Sequence, residues 1–427
     1  MRLKDWDYNL KVRLFGEALM NITYWMFFPF LTIFFADAFG KEKAGLLLIF
    51  SQLFSVLANL MGGYCADRFG RKTMMVFSSF AQGVAFLLFA FSNSPWFDLP
   101  ILGFICFTLA GICGAFYWPA SQAMVADVVE EKDRSSVFAI FYTSINIAVV
   151  IGPILGAIFY VQHPFEVLFV AGTVCIFLSG LLAKLTRETA PVFQVAGKTT
   201  SGKWYDTIIQ QLKDYRIIFK DSTFSLFIIA GALVALTFMQ LDVMIPVYIT
   251  DVVQQQNVLS FGDWSLTLNG EQAFGVVLSE NGLLVAIFTI VITKWMSKYQ
   301  EQNVFIVSSL VYGLAIAAFG ISESIWIFIL AMGLFTFAEL MTAGIQQTFV
   351  SKIAPEHMRG QYFAASSLRY TIGRTIAPIA IPMSLWFGYT MTFSVLGVLA
   401  CVSAVLYYMM FQKLARKTSG HIDLALK

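Results

Sequence analysis

Twelve stretches of this 427-residue chain are long and apolar enough to cross a bilayer, and nothing else constrains its fold as strongly. The hydrocarbon layer is about 30 Å thick and a helix rises about 1.5 Å per residue, so a crossing needs about 20 apolar residues. The stretches lie near 13–37, 44–66, 73–93, 99–125, 136–160, 165–185, 223–250, 275–297, 304–322, 325–349, 361–387 and 390–412. Backbone groups in hydrocarbon must be satisfied within their own segment, so each stretch predicts an α-helix. The expected fold class is an all-α polytopic membrane protein. With 58% hydrophobic and 13% charged residues, and a mean hydropathy of +0.73, an ordinary soluble domain is excluded. No cleavable leader is evident, since Arg2, Lys4, Lys11 and Arg13 run directly into the first span.

Orientation follows from the basic residues, which concentrate on the cytoplasmic side of membrane proteins. Of 28 Lys and Arg, 24 fall in the N-terminus, the even-to-odd loops and the tail. Lys41 and Lys43 alone lie in the opposite loops, and Arg369 and Arg374 lie within the eleventh stretch. Both termini are therefore expected in the cytoplasm, with the chain in the cell membrane and lipids as its surroundings. A net charge of +2, dispersed along membrane edges, argues against a nucleic-acid partner. Cys65, Cys106, Cys113, Cys175 and Cys401 have no metal-ligand spacing, and His163, His357 and His421 all lie in loops or the tail. No metal or cofactor is expected, and an enzyme would lack its nucleophile or metal cluster.

The chain repeats itself. Residues 119–153 can be laid on 344–378 without a gap, so that Gln122 meets Gln347, Glu131 meets Glu356, Arg134 meets Arg359 and Pro153 meets Pro378. Two six-helix halves in the same orientation follow, 1–185 and 223–427, joined by a polar linker, 186–222. Within the linker, Trp204, Ile208, Leu212, Tyr215 and Phe219 recur at helical spacing and predict an interfacial amphipathic helix. The outer loop 252–274 suggests no chemistry.

Between the second and third stretches runs Gly63-Tyr-Cys-Ala-Asp67-Arg68-Phe-Gly70-Arg71-Lys72. Glycines let helix ends approach and the basic cluster holds its side of the membrane. This turn resembles the signature of major facilitator transporters, and the resemblance covers most of the chain. Gly152-Pro153-Ile-Leu-Gly156 is similar to a motif of the drug–proton antiporters in that superfamily, although Ala148 and Ala157 depart from it. Phe107 stands roughly where many members carry an arginine. Asp242 in span seven, Glu339 and Gln346 in span ten, and Asp127 closing span four look like positions of the Gram-positive, lactococcal-type multidrug–proton antiporters. Phe141 stands where those members have a further acid. The resemblance implies a major facilitator fold, with spans one, four, seven and ten lining a central cavity. It also implies proton-driven export of lipophilic or amphipathic compounds by alternating access. A lipid or organic-anion transporter of the same fold is the alternative.

Asp242 and Glu339 stand out without any resemblance. A charged side chain near mid-bilayer costs about 2.5–3.5 kcal/mol on insertion scales, so it persists mainly where it faces a cavity or a partner. Glu339, Thr342, Ala343 and Gln346 share one helical face. A carboxylate carried between wet and dry surroundings can take a proton from one side and release it on the other, so these two are the expected proton-coupling residues. Arg374 lies at similar depth and is expected either to pair with one of them or to bind an anionic substrate. Arg369, about 140° away around the helix, is expected to snorkel to the inner interface. Asn21, Tyr24, Trp25 and Phe28 on span one, with Tyr117 on span four, are the expected substrate surface, alongside Gln346 and Arg374. The resemblance to major facilitator transporters also implies that Asp67, Arg71 and Asp127 meet at the cytoplasmic ends of spans two, three and four, with the start of span eleven near Gln361 facing Asp67. With Gly63, Arg68, Gly70, Lys72, Arg134, Gly152, Pro153 and Gly156 they form the expected gate. The chain is expected to work as a monomer.

Overall fold

A computed structural model of the chain describes residues 6–160, 162–190, 220–261, 264–343, 345–353, 362 and 365–425. They fall into two compact units, Met1–Ile209 and Gln210–Lys427. The amphipathic helix expected from Trp204 to Phe219 and the helix start near Gln361 lie outside the described residues, as do the side chains of Arg134 and Gln347.

Eleven of the expected spans are helices long and apolar enough to cross a membrane. Span one runs Tyr8–Phe39 but tightens to a 3-10 turn at Phe28–Phe30, where Pro29 offers no N–H to the helix. Spans two, three, four, five and six are Lys41–Phe69, Arg71–Phe91, Pro100–Val128, Glu131–Phe159 and Pro164–Leu185. In the second unit, span seven is Ser222–Phe238, a 3-10 turn at Met239–Leu241, then Met244–Val252. Spans eight and nine are Gly270–Met296 and Glu301–Phe319. Span ten is built from Ile325–Ala343 and Ile345–Ile353, and span twelve from Tyr389–Ala425. Span eleven departs from a plain crossing helix. It is Leu368–Ile376, a 3-10 turn at Ala377–Ile379, and Ala380–Phe387, and it carries both Arg369 and Arg374.

The two units repeat one pairing pattern. In the first, span one packs on five and six, span two on four, and span three on four and six. In the second, span seven packs on eleven and twelve, span eight on ten, and span nine on ten and twelve. Adding six to each number in the first set gives the second, so these are two pseudo-symmetric six-helix halves. The crossing of spans three and six is made at Gly83 and Gly172, where an added Cβ on Gly83 would sit 2.8 Å from the Gly172 carbonyl. Spans nine and twelve cross the same way, with Gly313 meeting the Gly397 carbonyl at 3.0 Å. Close backbone approach of this kind gives membrane helices packing contact that lipid alone does not favour.

Outside the helices, Gln256–Phe261 (β3) and Trp264–Leu268 (β4) form an antiparallel hairpin in the 252–274 loop, with an irregularity between Asn257 and Leu259. A two-residue pair, Asn93–Ser94 (β1) and Phe97–Asp98 (β2), joins spans three and four.

Candidate coupling site

The broken path of span seven places Asp242. The residue caps the 3-10 turn at Met239–Leu241, and Pro246 withdraws the N–H that an unbroken helix would give to its carbonyl. Its side chain is partly buried, with Oδ1 shut off from solvent. Glu339 lies on span ten, also partly buried, and is held by span eight. Asn281 donates through Nδ2 to Glu339 Oε2 at 3.1 Å and to Thr336 Oγ1 at 2.9 Å. Thr336 in turn donates to the Met332 carbonyl, so Asn281 is fixed from two sides. Asp242 is within electrostatic reach of Glu339, and Arg374 within reach of Asp242. Arg374 is exposed and makes no ion pair within 4 Å among the described residues. Gln346 accepts a hydrogen bond from Tyr370 of span eleven at 3.2 Å.

Arg369 does not snorkel. It is only 3% exposed, its guanidinium lies 4.3 Å from the centre of the Phe227 ring, and Nε donates to the Ser366 carbonyl. Gly231 on span seven makes the room, since any Cβ there would collide with the arginine stem. The aromatic face and the carbonyl offset part of the cost of burying this charge. Glu280, one position before Asn281, also lies in this half. It approaches span ten at Gly333, and its Oε2 is shielded from solvent. The polar run Ser279-Glu280-Asn281 inside an apolar stretch was the sequence signal for both residues.

The first half holds a second ionisable group of residues that the apolar pattern concealed. Arg13 is 1% exposed and Glu17 7%, and they pair at 2.9 Å one helical turn apart. Arg13 also donates to the Ser121 carbonyl at 2.9 Å and to the Ser121 hydroxyl, and its guanidinium lies 4.8 Å from the Phe141 ring centre. Tyr117, expected as a substrate contact, is buried and donates its hydroxyl to Glu17 Oε1 at 2.7 Å. Asn21 shares with Arg13, Glu17 and Gln122 a cavity of about 10 Å³, room for about one water. Tyr24, Trp25 and Phe28 form a partly buried aromatic ladder one turn further on, with Tyr24 and Phe28 stacked at 4.7 Å. Gly152 and Gly156 seat span five on this same helix. A Cβ on Gly152 would strike Trp25, and one on Gly156 the Met26 carbonyl. The partner of the Gly152-Pro153-Ile-Leu-Gly156 surface is therefore span one of the same half, and Pro153 sits inside a helix that stays continuous.

At the turn between spans two and three, Arg71 contacts Asp67 at 2.7 Å and Asp127 at 3.3 Å, and donates to the Ala66 carbonyl. An unexpected residue completes the turn. Glu188, just past span six, accepts from the backbone N–H groups of Arg71 at 2.8 Å and Lys72 at 3.1 Å, the open N-terminus of span three. Burial opposes its ionisation, but these donors with those of Thr189 and Ala190 hold its carboxyl below the usual range. Gly70 permits the arrangement in two ways: its φ is +97°, and any Cβ would collide with the Glu188 carboxylate. Lys72 Nζ donates to the Thr186 carbonyl at 2.7 Å, and Thr189 donates to Asp127 at 3.1 Å. Arg68 instead turns to the Tyr64 hydroxyl at 2.6 Å. A Cβ added at Gly63 would meet nothing within 4 Å among the described residues, so it is not the close-approach glycine. Gly62 is, with Pro119 at 3.0 Å and the Ala115 carbonyl at 3.1 Å from an added Cβ.

Two six-helix repeats with broken helices and intramembrane carboxylates define a non-enzymatic secondary transporter. The chain belongs to the Major Facilitator Superfamily, whose profile matches residues 14–262 and 258–424. It is 55% identical over 426 residues to a "Na(+), Li(+), K(+)/H(+) antiporter" of Planococcus maritimus, covering 99% of this chain and 100% of that one. It is 21% identical over 376 residues to the multidrug resistance protein MdtH of Salmonella choleraesuis (strain SC-B67), covering 86% and 84%. Its fold is similar to that of a solved peptide transporter, POT, in complex with sulfate, with a TM-score of 0.78 at 15% identity over 97% and 96% of the two chains.

Proposed function

We propose that the chain is a proton antiporter for small monovalent cations, Na⁺, Li⁺ and K⁺. The observation that carries this reading is that Asp242 and Glu339 lie within electrostatic reach of each other in one half. A partly buried carboxylate in a membrane is stabilised by a compensating positive charge, which a proton or a metal cation can supply. Glu339, fixed by Asn281, exchanges the proton. Asp242, at the break of span seven, takes the cation. Loading one site disfavours loading the other, because the second positive charge is no longer attracted to an unscreened pair. Alternating access then carries either the cation or the proton, not both. For one-to-one exchange, a pH difference of one unit, worth about 1.4 kcal/mol, sustains a tenfold cation gradient. The relative from Planococcus maritimus supports this reading through its name and its full-length match.

The aromatic ladder of Tyr24, Trp25 and Phe28 favours a second reading, proton-driven export of lipophilic compounds through the same carboxylates. Everted vesicles separate the two. With a respiration-generated pH gradient reported by a fluorescent amine, adding NaCl, LiCl or KCl should collapse the gradient in proportion to the protein present. A gradient untouched by the three salts but dissipated by a lipophilic dye would overturn the cation reading in favour of the second.

A further inference from the structure

Spans seven and eleven both break to a 3-10 turn, at Met239–Leu241 and Ala377–Ile379, and the two breaks touch. Gln240 joins them and is fully buried. Its Nε2 donates to the Leu236 carbonyl at 2.9 Å and to the Ala377 carbonyl at 3.4 Å. Both neighbours are acceptors, which fixes the amide orientation and leaves Oε1 as the other end. That oxygen is shielded from solvent and has no hydrogen-bond partner among the described residues. A buried amide oxygen left unsatisfied costs about 1–3 kcal/mol, so a group that completes it gains that much.

The chemistry surrounding the breaks is that of a hard cation. The carboxylate of Asp242 lies two residues along the same turn. Pro246 and Pro378 each withdraw an N–H from the regular ladder, at the carbonyls of Asp242 and Arg374. Unwound carbonyls at paired helix breaks, with side-chain oxygens and one negative charge, are how membrane transporters strip water from an alkali cation. We propose that Gln240 Oε1 is a direct ligand of the transported Na⁺, Li⁺ or K⁺, in a site at the double break that Asp242 neutralises. The exposed guanidinium of Arg374, within electrostatic reach of Asp242, keeps the affinity low enough for release. This rests on the cation–proton reading and adds to it a ligand that carries no charge.

The test uses the purified full chain in detergent, with thermal unfolding followed in NaCl, LiCl and KCl against choline chloride at equal ionic strength. Gln240→Leu should raise the half-saturating Na⁺ concentration at least tenfold. Gln240→Glu sets a carboxylate against the Ala377 carbonyl, an arrangement that only a cation or proton between them relieves, so it should lower that concentration several-fold. An unchanged value in Gln240→Leu, or a rise in Gln240→Glu equal to that of the leucine variant, overturns the proposal and leaves Gln240 as a clasp between helices. If the leucine variant does not fold, the glutamate variant decides alone. Wild-type cation–proton exchange with an unaltered Gln240→Leu response refutes this site only. A wild type that exchanges protons for none of the three cations refutes the functional reading itself.

Discussion

Glu339→Gln removes one charge from the proposed coupling site with little else disturbed. The glutamine has the same length, and its carbonyl oxygen can still accept from Asn281 Nδ2, now 3.1 Å from Glu339 Oε2. A hydrogen bond to a charged group is worth about 1.5–3 kcal/mol and a neutral one about 0.5–1.5, so the fold should lose only about 1 kcal/mol. Asn281 keeps its second partner, Thr336 Oγ1, in either case. Transport should change far more. Without a group that takes and releases a proton, efflux of ²²Na⁺ from proteoliposomes driven by a pH gradient should fall to the level of empty liposomes. Stabilisation of the detergent-purified variant by Na⁺ should remain measurable, because Asp242 is intact. Glu339→Leu is the control for structure: it strips Asn281 of one acceptor and should lower yield as well as transport. Efflux by Glu339→Gln at the wild-type rate would rule out Glu339 as the proton carrier.

Asp242→Asn should raise the Na⁺ concentration needed for half-maximal exchange at least tenfold, read as proton movement against NaCl titration. Asp67→Asn should cost only about 0.2–1 kcal/mol, since Asp67 is 58% exposed in its pair with Arg71, whereas Arg71→Ala, which also abandons Asp127 and Ala66, should alter double-label distances between the ends of spans two and four much more. Glu188 has a depressed carboxyl, so its contribution is complete above the ordinary unfolded value of about 4.3 and is lost as pH falls through the folded one. Glu188→Gln should remove that acid sensitivity from hydrogen exchange at Arg71 and Lys72. Arg13→Ala leaves Glu17 buried without its cation and should cost about 3–5 kcal/mol, seen as lost expression, while Gly63→Ala should be silent and Gly156→Ala should impair packing on span one.

The spans and the doubled architecture were legible because bilayer thickness fixes helix length and because Pro153 and Pro378 mark the same step of a repeat. What those two prolines do was not legible. Pro153 is absorbed within a continuous helix, whereas Pro378 sits in a 3-10 turn clasped by Gln240 from another helix, a tertiary choice. Asp242 and Glu339 announced themselves as isolated acids in apolar runs. Arg13 did not, since a basic residue at the start of a span reads as a flank, although Glu17 one turn inside was the clue to a buried pair. Arg369 was misplaced because its shelter, Gly231 and Phe227, lies on span seven, far earlier in the chain. Gly62 and Gly63 differ by one position, which is about 100° around the helix, and only packing against Pro119 shows which one faces span four.

Purified protein in liposomes gives the plainest test of whether a proton is exchanged for a monovalent cation. Vesicles loaded with NaCl and a pH-sensitive dye are diluted into choline chloride at the same pH. Outward Na⁺ should draw protons inward, acidifying the interior at a rate set by the amount of protein, with LiCl and KCl acting likewise. A steady interior pH with all three salts, or an interior that turns alkaline as Na⁺ leaves, would rule out cation–proton antiport.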